Sequence, residues 1–242
     1  VTGWLAVVGL GPGAEALVTP EVTAVLAECS DVVGYGPYVA RVAGRAGLVR
    51  HASDNRVEGE RAALALRLAA EGRRVAVVSS GDPGVFAMAA AVFEAAEAFA
   101  GPLPAIRVLP GITAMLAAAA RAGAPLGHDF CAINLSDNLK PFGTLLRRVR
   151  LAAEADFAMA FYNPRSASRP AQFGQVLELL KAVCEPGRLV TFARAVSTAE
   201  ERIVTVPLAE AAEDMADMRT LVIVGSSATR RVGPWVYTPR RA

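Results

Sequence analysis

The chain has 242 residues, 53% of them hydrophobic and 20% charged, with 25 Lys and Arg against 23 Asp and Glu. A net charge of +2 is too even for a protein whose main partner is nucleic acid. Three scattered cysteines without a C-x-x-C pair and only two histidines, His51 and His128, are too few ligands for a structural zinc or iron–sulfur site.

The apolar content is enough for a packed core and two domains. No apolar run is long enough to span a bilayer. With reduced thiols and no basic-then-apolar leader, the expected compartment is the cytoplasm.

Gly3 to Val8 reads as the first strand, ending in Gly9-Leu10-Gly11-Pro12-Gly13-Ala14. These letters match the dinucleotide fingerprint G-x-G-x-x-A, but their context fails twice. The next helix starts with Thr19 as cap and Pro20 as first residue, several residues too late to bring its N-terminus to a pyrophosphate. The second strand, Asp31 to Tyr35, ends in glycine and tyrosine where a ribose-binding acid belongs. A nicotinamide or flavin cofactor is therefore disfavoured.

After Tyr35-Gly36-Pro37-Tyr38 come a short helical stretch, the strand residues Val49-Arg50-His51, and an amphipathic helix from Val57 to Ala70 ended by Gly72. Arg73 to Val78 is a buried strand leading into Ser79-Ser80-Gly81-Asp82-Pro83-Gly84-Val85-Phe86. A helix is expected from Val85 to Phe99, with Asp82 as N-cap and Pro83 as first helical residue. Ile106 to Leu109 is the next strand and feeds Pro110-Gly111-Ile112-Thr113-Ala114, then an alanine-rich helix to about Ala122. Three strands thus each feed a glycine turn. Glycine permits close backbone approach, and open α/β sheets bind ligands at the carboxyl ends of their strands. Three such turns on one edge point to a small-molecule pocket.

The stretch Ala122 to Gly127 is dense in turn residues and sets the expected boundary, giving domains 1–123 and 124–242. The second half opens with a strand, Phe130 to Leu135, followed by polar Ser136-Asp137-Asn138 and a helix from Thr144 to Glu154. The strand Phe157 to Tyr162 runs into Asn163-Pro164-Arg165-Ser166. A helix from Pro170 to Val183 carries Phe173, Val176, Leu177 and Leu180 on one face. Leu189 to Arg194 and Arg202 to Val206 read as a strand pair, Ala209 to Met215 as a helix, and Thr220 to Val224 as the last strand. The fold class is α/β, in two α/β domains.

Gly9-x-Gly11-Pro12-Gly13, Gly81-Asp82-Pro83, Pro110-Gly111-Ile112-Thr113 and Phe161-Tyr162-Asn163-Pro164 occur in this order. Together they resemble the tetrapyrrole methylase family, over essentially the whole chain. Gly34-Tyr35-Gly36-Pro37-Tyr38, Asn134-Leu135-Ser136-Asp137 and Tyr162-Asn163-Pro164-Arg165-Ser166 are most similar to the branch that methylates precorrin-3B at carbon 17 in cobalamin biosynthesis. The resemblance implies the class III methyltransferase fold with an active-site cleft between two domains, S-adenosylmethionine (SAM) as methyl donor with S-adenosylhomocysteine as product, no metal, and a homodimer. It implies Pro12, Gly81, Asp82, Val85, Thr113, Ala114, Asn163, Ala193 and Thr220 around SAM. A carboxylate at Asp82 suits an ammonium and a sulfonium and would repel a phosphate. For Pro12, Thr113 and Ala114, simple turn and cap duty accounts for the residue types equally well.

The implied substrate is a tetrapyrrole bearing acetate and propionate arms. Arginine binds carboxylates bidentately, which makes Arg165 and Arg194 candidates, with Lys140 a third for which a solvated charge is the favoured reading; Arg147, Arg148 and Arg150 read as an exposed helix face. Tyr35 and Tyr38 are candidates for stacking on the macrocycle. Uroporphyrinogen methylases carry Tyr-Asp after the second strand, whereas here Tyr35 precedes Gly36, which argues against that substrate. The family activity includes ring contraction, which calls for a general base. Asp137, His128 and Asp129 are the candidates; Asp137 is on the better-placed loop, with Ser136 as a hydrogen-bonding partner. The rival readings are a cobalt-factor III methyltransferase and a dinucleotide-binding dehydrogenase.

Overall fold

The computed structural model describes residues 3–54, 57–138 and 140–241. Its backbone divides into two units, Val1–Thr113 and Ala114–Ala242. In the first, β1 (Trp4–Gly9), α1 (Pro20–Glu28), β2 (Asp31–Tyr35), α2 (Gly36–Val39), β3 (Val49–Ser53), α3 (Glu58–Ala70), β4 (Arg74–Ser79), α4 (Met88–Glu97) and β5 (Ala105–Leu109) follow in order. The five strands form one parallel sheet in the order β3-β2-β4-β1-β5. Parallel strands are covered on both faces, so they read as continuous Val and Ala runs. Alternate side chains go to opposite layers. Leu5, Val7, Val75 and Val77 pack with Ala62, Leu66 and Val92 from α3 and α4, while Ala6, Val8, Ala76 and Val78 pack with Val22 and Val25 from α1.

The expected cap of α1 is present: Thr19 Oγ1 accepts from the Val22 N–H at 3.3 Å, with Pro20 as first helical residue. The expected start of α4 is not. Phe86 has φ +53° and Ala87 is extended, so the helix begins at Met88 and Asp82 is not its N-cap. The Pro83 carbonyl instead accepts from the Ala89 N–H at 2.9 Å.

The second unit begins with α5 (Ala114–Ala122), then β6 (Gly123–Ala124), β7 (Phe130–Asn134), α6 (Phe142–Glu154), β8 (Ala158–Tyr162), α7 (Gln172–Val183), β9 (Leu189–Arg194), β10 (Arg202–Pro207), β11 (Thr220–Val224), β12 (Arg230–Val232) and β13 (Trp235–Tyr237). A sheet in the order β10-β9-β11-β8-β7 is antiparallel except for the β7–β8 pair. Phe161 of β8, Leu145 of α6 and Phe173 and Leu180 of α7 are fully buried in one core. The division falls upstream of the turn-rich stretch at Gly123, because α5 packs against β10 and β11. The segment expected as a helix over Ala209 to Met215 is two 3₁₀ turns, Leu208–Glu210 and Glu213–Met215, separated by extended Ala211 and Ala212. The small sheet β12-β13-β6 was not foreseen from the sequence. No helix among the described residues is long and apolar enough to cross a membrane.

Candidate active site

In the first unit, β4, β1 and β5 are neighbours in the sheet, so the turns that follow them meet at its carboxyl edge. They are joined to one another. Gly11 and Gly81 exchange two backbone hydrogen bonds, at 3.1 and 2.9 Å. Asp82 Oδ2 accepts from the Gly111 N–H at 3.0 Å, while Oδ1 accepts from the Gly84 N–H at 2.8 Å. Two glycines are needed for this contact: a Cβ on Gly9 or Gly111 would collide with the Gly81 carbonyl. The turns are thus held by each other, with Asp82 as the clasp.

A residue the sequence reading missed completes the arrangement. Arg41 donates to the carbonyl oxygens of Leu10, Gly11 and Gly13, the Gly11 and Gly13 bonds both at 3.2 Å. One guanidinium therefore fixes the whole turn around Pro12, which is half-buried. Burial pulls Arg41 below its ordinary pKa. Gly81 and Thr113 are buried, while Asp82, Val85 and Ala114 are partly exposed. On α2 and β2, Tyr35 and Tyr38 meet edge to face with ring centres 5.3 Å apart, a favoured aromatic pairing. Burial raises the pKa of Tyr38.

In the second unit the parallel pair β7 and β8 ends in register, Asn134 beside Tyr162. Asn134 Oδ1 accepts from the Ser136 N–H at 2.9 Å, a local Asx turn, and from Asn163 Nδ2 at 3.1 Å. Asn163 itself is left-handed, with φ +51°, a conformation asparagine tolerates better than most residues. Arg169, only 8% exposed, donates to the carbonyls of Leu135 at 3.4 Å and Asn163 at 3.2 Å, joining both strand ends. Lys140 Nζ donates to the Asn134 carbonyl at 2.6 Å. Its own burial, then neighbouring Arg148, lower the Lys140 pKa against the pull of Asp137.

Asp137 sits in this cluster. Its Oδ2 accepts from Gln172 Nε2 at 2.6 Å, and its Oδ1 lies 4.0 Å from Arg169 Nε. Ser136 Oγ accepts from the Asn138 N–H at 3.5 Å and makes no bond to Asp137, so the expected Ser136 partnership is replaced by Gln172. His128 and Asp129, the alternative bases, precede the opposite end of β7 and pair loosely with each other at 3.7 Å.

The two arginines differ. Arg165 Nε donates to the Pro170 carbonyl at 3.1 Å, and its terminal nitrogens make no bond among the described residues. Arg194 is held by Asp217 at 2.7 Å and Glu200 at 3.5 Å. Thr220 Oγ1 donates to Asp217 Oδ1 at 2.7 Å, and Ala193 is buried in β9 opposite Leu221. Arg41, Asn134, Arg169 and Gln172 were not picked out from the sequence. Arg41 and Arg169 act on backbone carbonyls, which leave no side-chain motif. The one available signal was the Asn at the end of a strand in Asn134-Leu135-Ser136-Asp137.

The family described as Tetrapyrrole (Corrin/Porphyrin) Methylases matches residues 5–212. The precorrin-3B C(17)-methyltransferase of Sinorhizobium sp is 51% identical over 99% of this chain and 97% of its own length. The probable cobalt-factor III C(17)-methyltransferase of Salmonella typhimurium is 37% identical over 98% of each chain. Among solved structures, the methyltransferase CobJ is 70% identical, with TM-score 0.95 over 98% of this chain and 100% of its own. The motifs at the three first-unit turns and at the ends of β7 and β8 thus fall within one matched span, and the chain belongs to the tetrapyrrole methylase family.

Proposed function

We propose that the chain is a SAM-dependent C-methyltransferase of cobalamin biosynthesis that methylates precorrin-3B at carbon 17 and contracts its macrocycle. The observation that carries this reading is its likeness to the Sinorhizobium enzyme over nearly the whole of both chains, closer than its likeness to the cobalt-factor III enzyme.

The residues present fit SAM. A carboxylate has about four acceptor sites, and the backbone bonds to Gly84 and Gly111 use two of those on Asp82. The remaining ones suit the ammonium of the amino-acid end. In the first unit Pro12, Gly81, Asp82, Val85 and Thr113 would hold it. When bound, SAM supplies a methyl group on a sulfonium and leaves as S-adenosylhomocysteine. The chain's part in that transfer is alignment. Arg165 supports the tetrapyrrole reading, since its terminal fork is available for a carboxylate arm; Arg194 is already neutralised by two acids and is a weaker ligand. Tyr35 and Tyr38 are the stacking residues of this proposal.

For ring contraction, the Asp137 carboxylate takes the proton of the hydroxyl on carbon 20. The substrate O–H bond breaks, a carboxyl O–H forms on Asp137, and the electron pair stays on the substrate oxygen, which leaves carbon 20 as the alkoxide that contraction requires.

Anaerobic incubation with SAM and precorrin-3B, followed by mass spectrometry and carbon NMR, tests the whole reading. The expected product has one added methyl at carbon 17 and a new acetyl group. Turnover confined to cobalt-factor III would reassign the substrate, and failure to bind SAM would end the assignment. Asp137→Asn is expected to keep SAM affinity and slow turnover about 100-fold; unchanged turnover removes Asp137 as base. The proposal extends to a cytoplasmic homodimer. Exposed Phe93, Leu103 and Val108 in the first unit are apolar side chains of the type dimer interfaces cover, and sedimentation at the monomer mass would contradict it.

A further inference from the structure

We propose that Gln172 is the positioning residue of Asp137, holding the carboxylate ready for proton transfer. This rests on the reading of Asp137 as the base. Gln172 is the first residue of α7, and Phe173 beside it is fully buried. The amide is therefore attached to a helix turn that cannot shift without unpacking the core. Its bond to Asp137 Oδ2 is short, at 2.6 Å, and links residues 35 apart in sequence.

The two oxygens of Asp137 are consequently unequal. Oδ2 is taken by the amide. Oδ1 makes no hydrogen bond among the described residues and faces Arg169 Nε from 4.0 Å. Arg169 is held by two strand-end carbonyls, which fixes its guanidinium beside the carboxylate. Oδ1 is thus the oxygen left to take the substrate proton. The hydroxyl O–H bond breaks, the new O–H bond forms at Oδ1, and the electron pair remains on the substrate oxygen.

The other end of the same amide supports this role. Gln172 Oε1 is buried with no hydrogen-bond partner among the described residues, although buried polar atoms ordinarily have one. An apolar side chain would fill that space without an orphaned acceptor. The glutamine is explained by what its amide does for Asp137. Donating through Nε2, it serves the ionised carboxylate.

A double-mutant cycle on the full-length enzyme, with SAM and precorrin-3B as substrates, tests this. Gln172→Met keeps length and volume while deleting both polar atoms. Expected is a roughly tenfold fall in kcat, with KM for the tetrapyrrole, SAM affinity and thermal midpoint unchanged. In the Asp137→Asn background the same substitution should cause no further loss, because Gln172 acts only through Asp137. Unchanged kcat in Gln172→Met, or losses that multiply in the double variant, overturn the proposal. Full turnover in Asp137→Asn alone overturns the base reading and this proposal with it, so the two failures are distinguishable. If the methionine variant does not fold, Gln172→Glu keeps the shape. Its repulsion of Asp137 must then lower kcat at least as much, and an unaffected kcat again overturns the proposal.

Discussion

Gly111→Ala is expected to destabilise the protein by about 3–5 kcal/mol and to abolish SAM binding, even though it adds one methyl group. The Cβ would collide with the Gly81 carbonyl and lie 2.8 Å from the Gly9 carbonyl. Both obstacles are backbone, so no flexible side chain can swing aside. Relief would require separating turns that two Gly11–Gly81 hydrogen bonds and Asp82 hold together. Those turns follow adjacent strands, whose axes are only about 4.8 Å apart, which leaves no slack between them. Gly59→Ala is the matched control: it lies in α3 with nothing within 4 Å of its Cβ, and alanine there is expected to stabilise by up to about 1 kcal/mol. Urea unfolding of both variants gives the comparison. A Gly111→Ala protein as stable as the parent would mean that the turns are not closely interlocked.

This reading changes what the glycine-rich turns tell about function. From the sequence, three glycine turns at one sheet edge point to backbone approaching a ligand. In the structure their first task is to approach one another, and Asp82 joins them before it meets any cofactor. The strands were legible because a buried parallel sheet writes itself as Val and Ala runs: Asp31 to Tyr35 is found with its expected limits. The start of α4 was not, since the Asp-Pro pair imitates a helix cap while Phe86 adopts a left-handed backbone that no local rule assigns to phenylalanine. The second-unit cluster was half legible. Asp137 and Asn163 stand out as polar residues at strand ends. Gln172 and Arg169 do not, because what makes them matter is contact with residues from distant parts of the chain.

Asp31→Asn is expected to cost about 3–4 kcal/mol at neutral pH and to weaken the acid sensitivity of the fold. Asp31 opens β2 with a side chain wholly shielded from solvent. It accepts from Arg73 Nε at 2.6 Å, His51 Nε2 at 2.8 Å and Ser30 Oγ at 2.7 Å. Burial opposes its ionisation, but the hydrogen bonds from Arg73, His51 and Ser30 prevail and hold its pKa below the ordinary value. A carboxyl depressed in the folded state contributes stability that is fully present above its unfolded value, near pH 4. That contribution is lost as pH falls through the lower folded value. Asparagine keeps the shape but cannot supply a negative charge to the Arg73 guanidinium, and one end of its amide presents donors where three donors already converge. The loss at pH 7 is therefore large, while stability between pH 6 and pH 3 declines less steeply than in the parent. It still declines, because Asp156 and Asp217 are also depressed, against burial, by hydrogen bonds from Ser227 and Thr220 and by Arg188 and Arg194. Urea midpoints across this range decide the matter: parallel curves for the two proteins would show that Asp31 does not carry its share of the acid response.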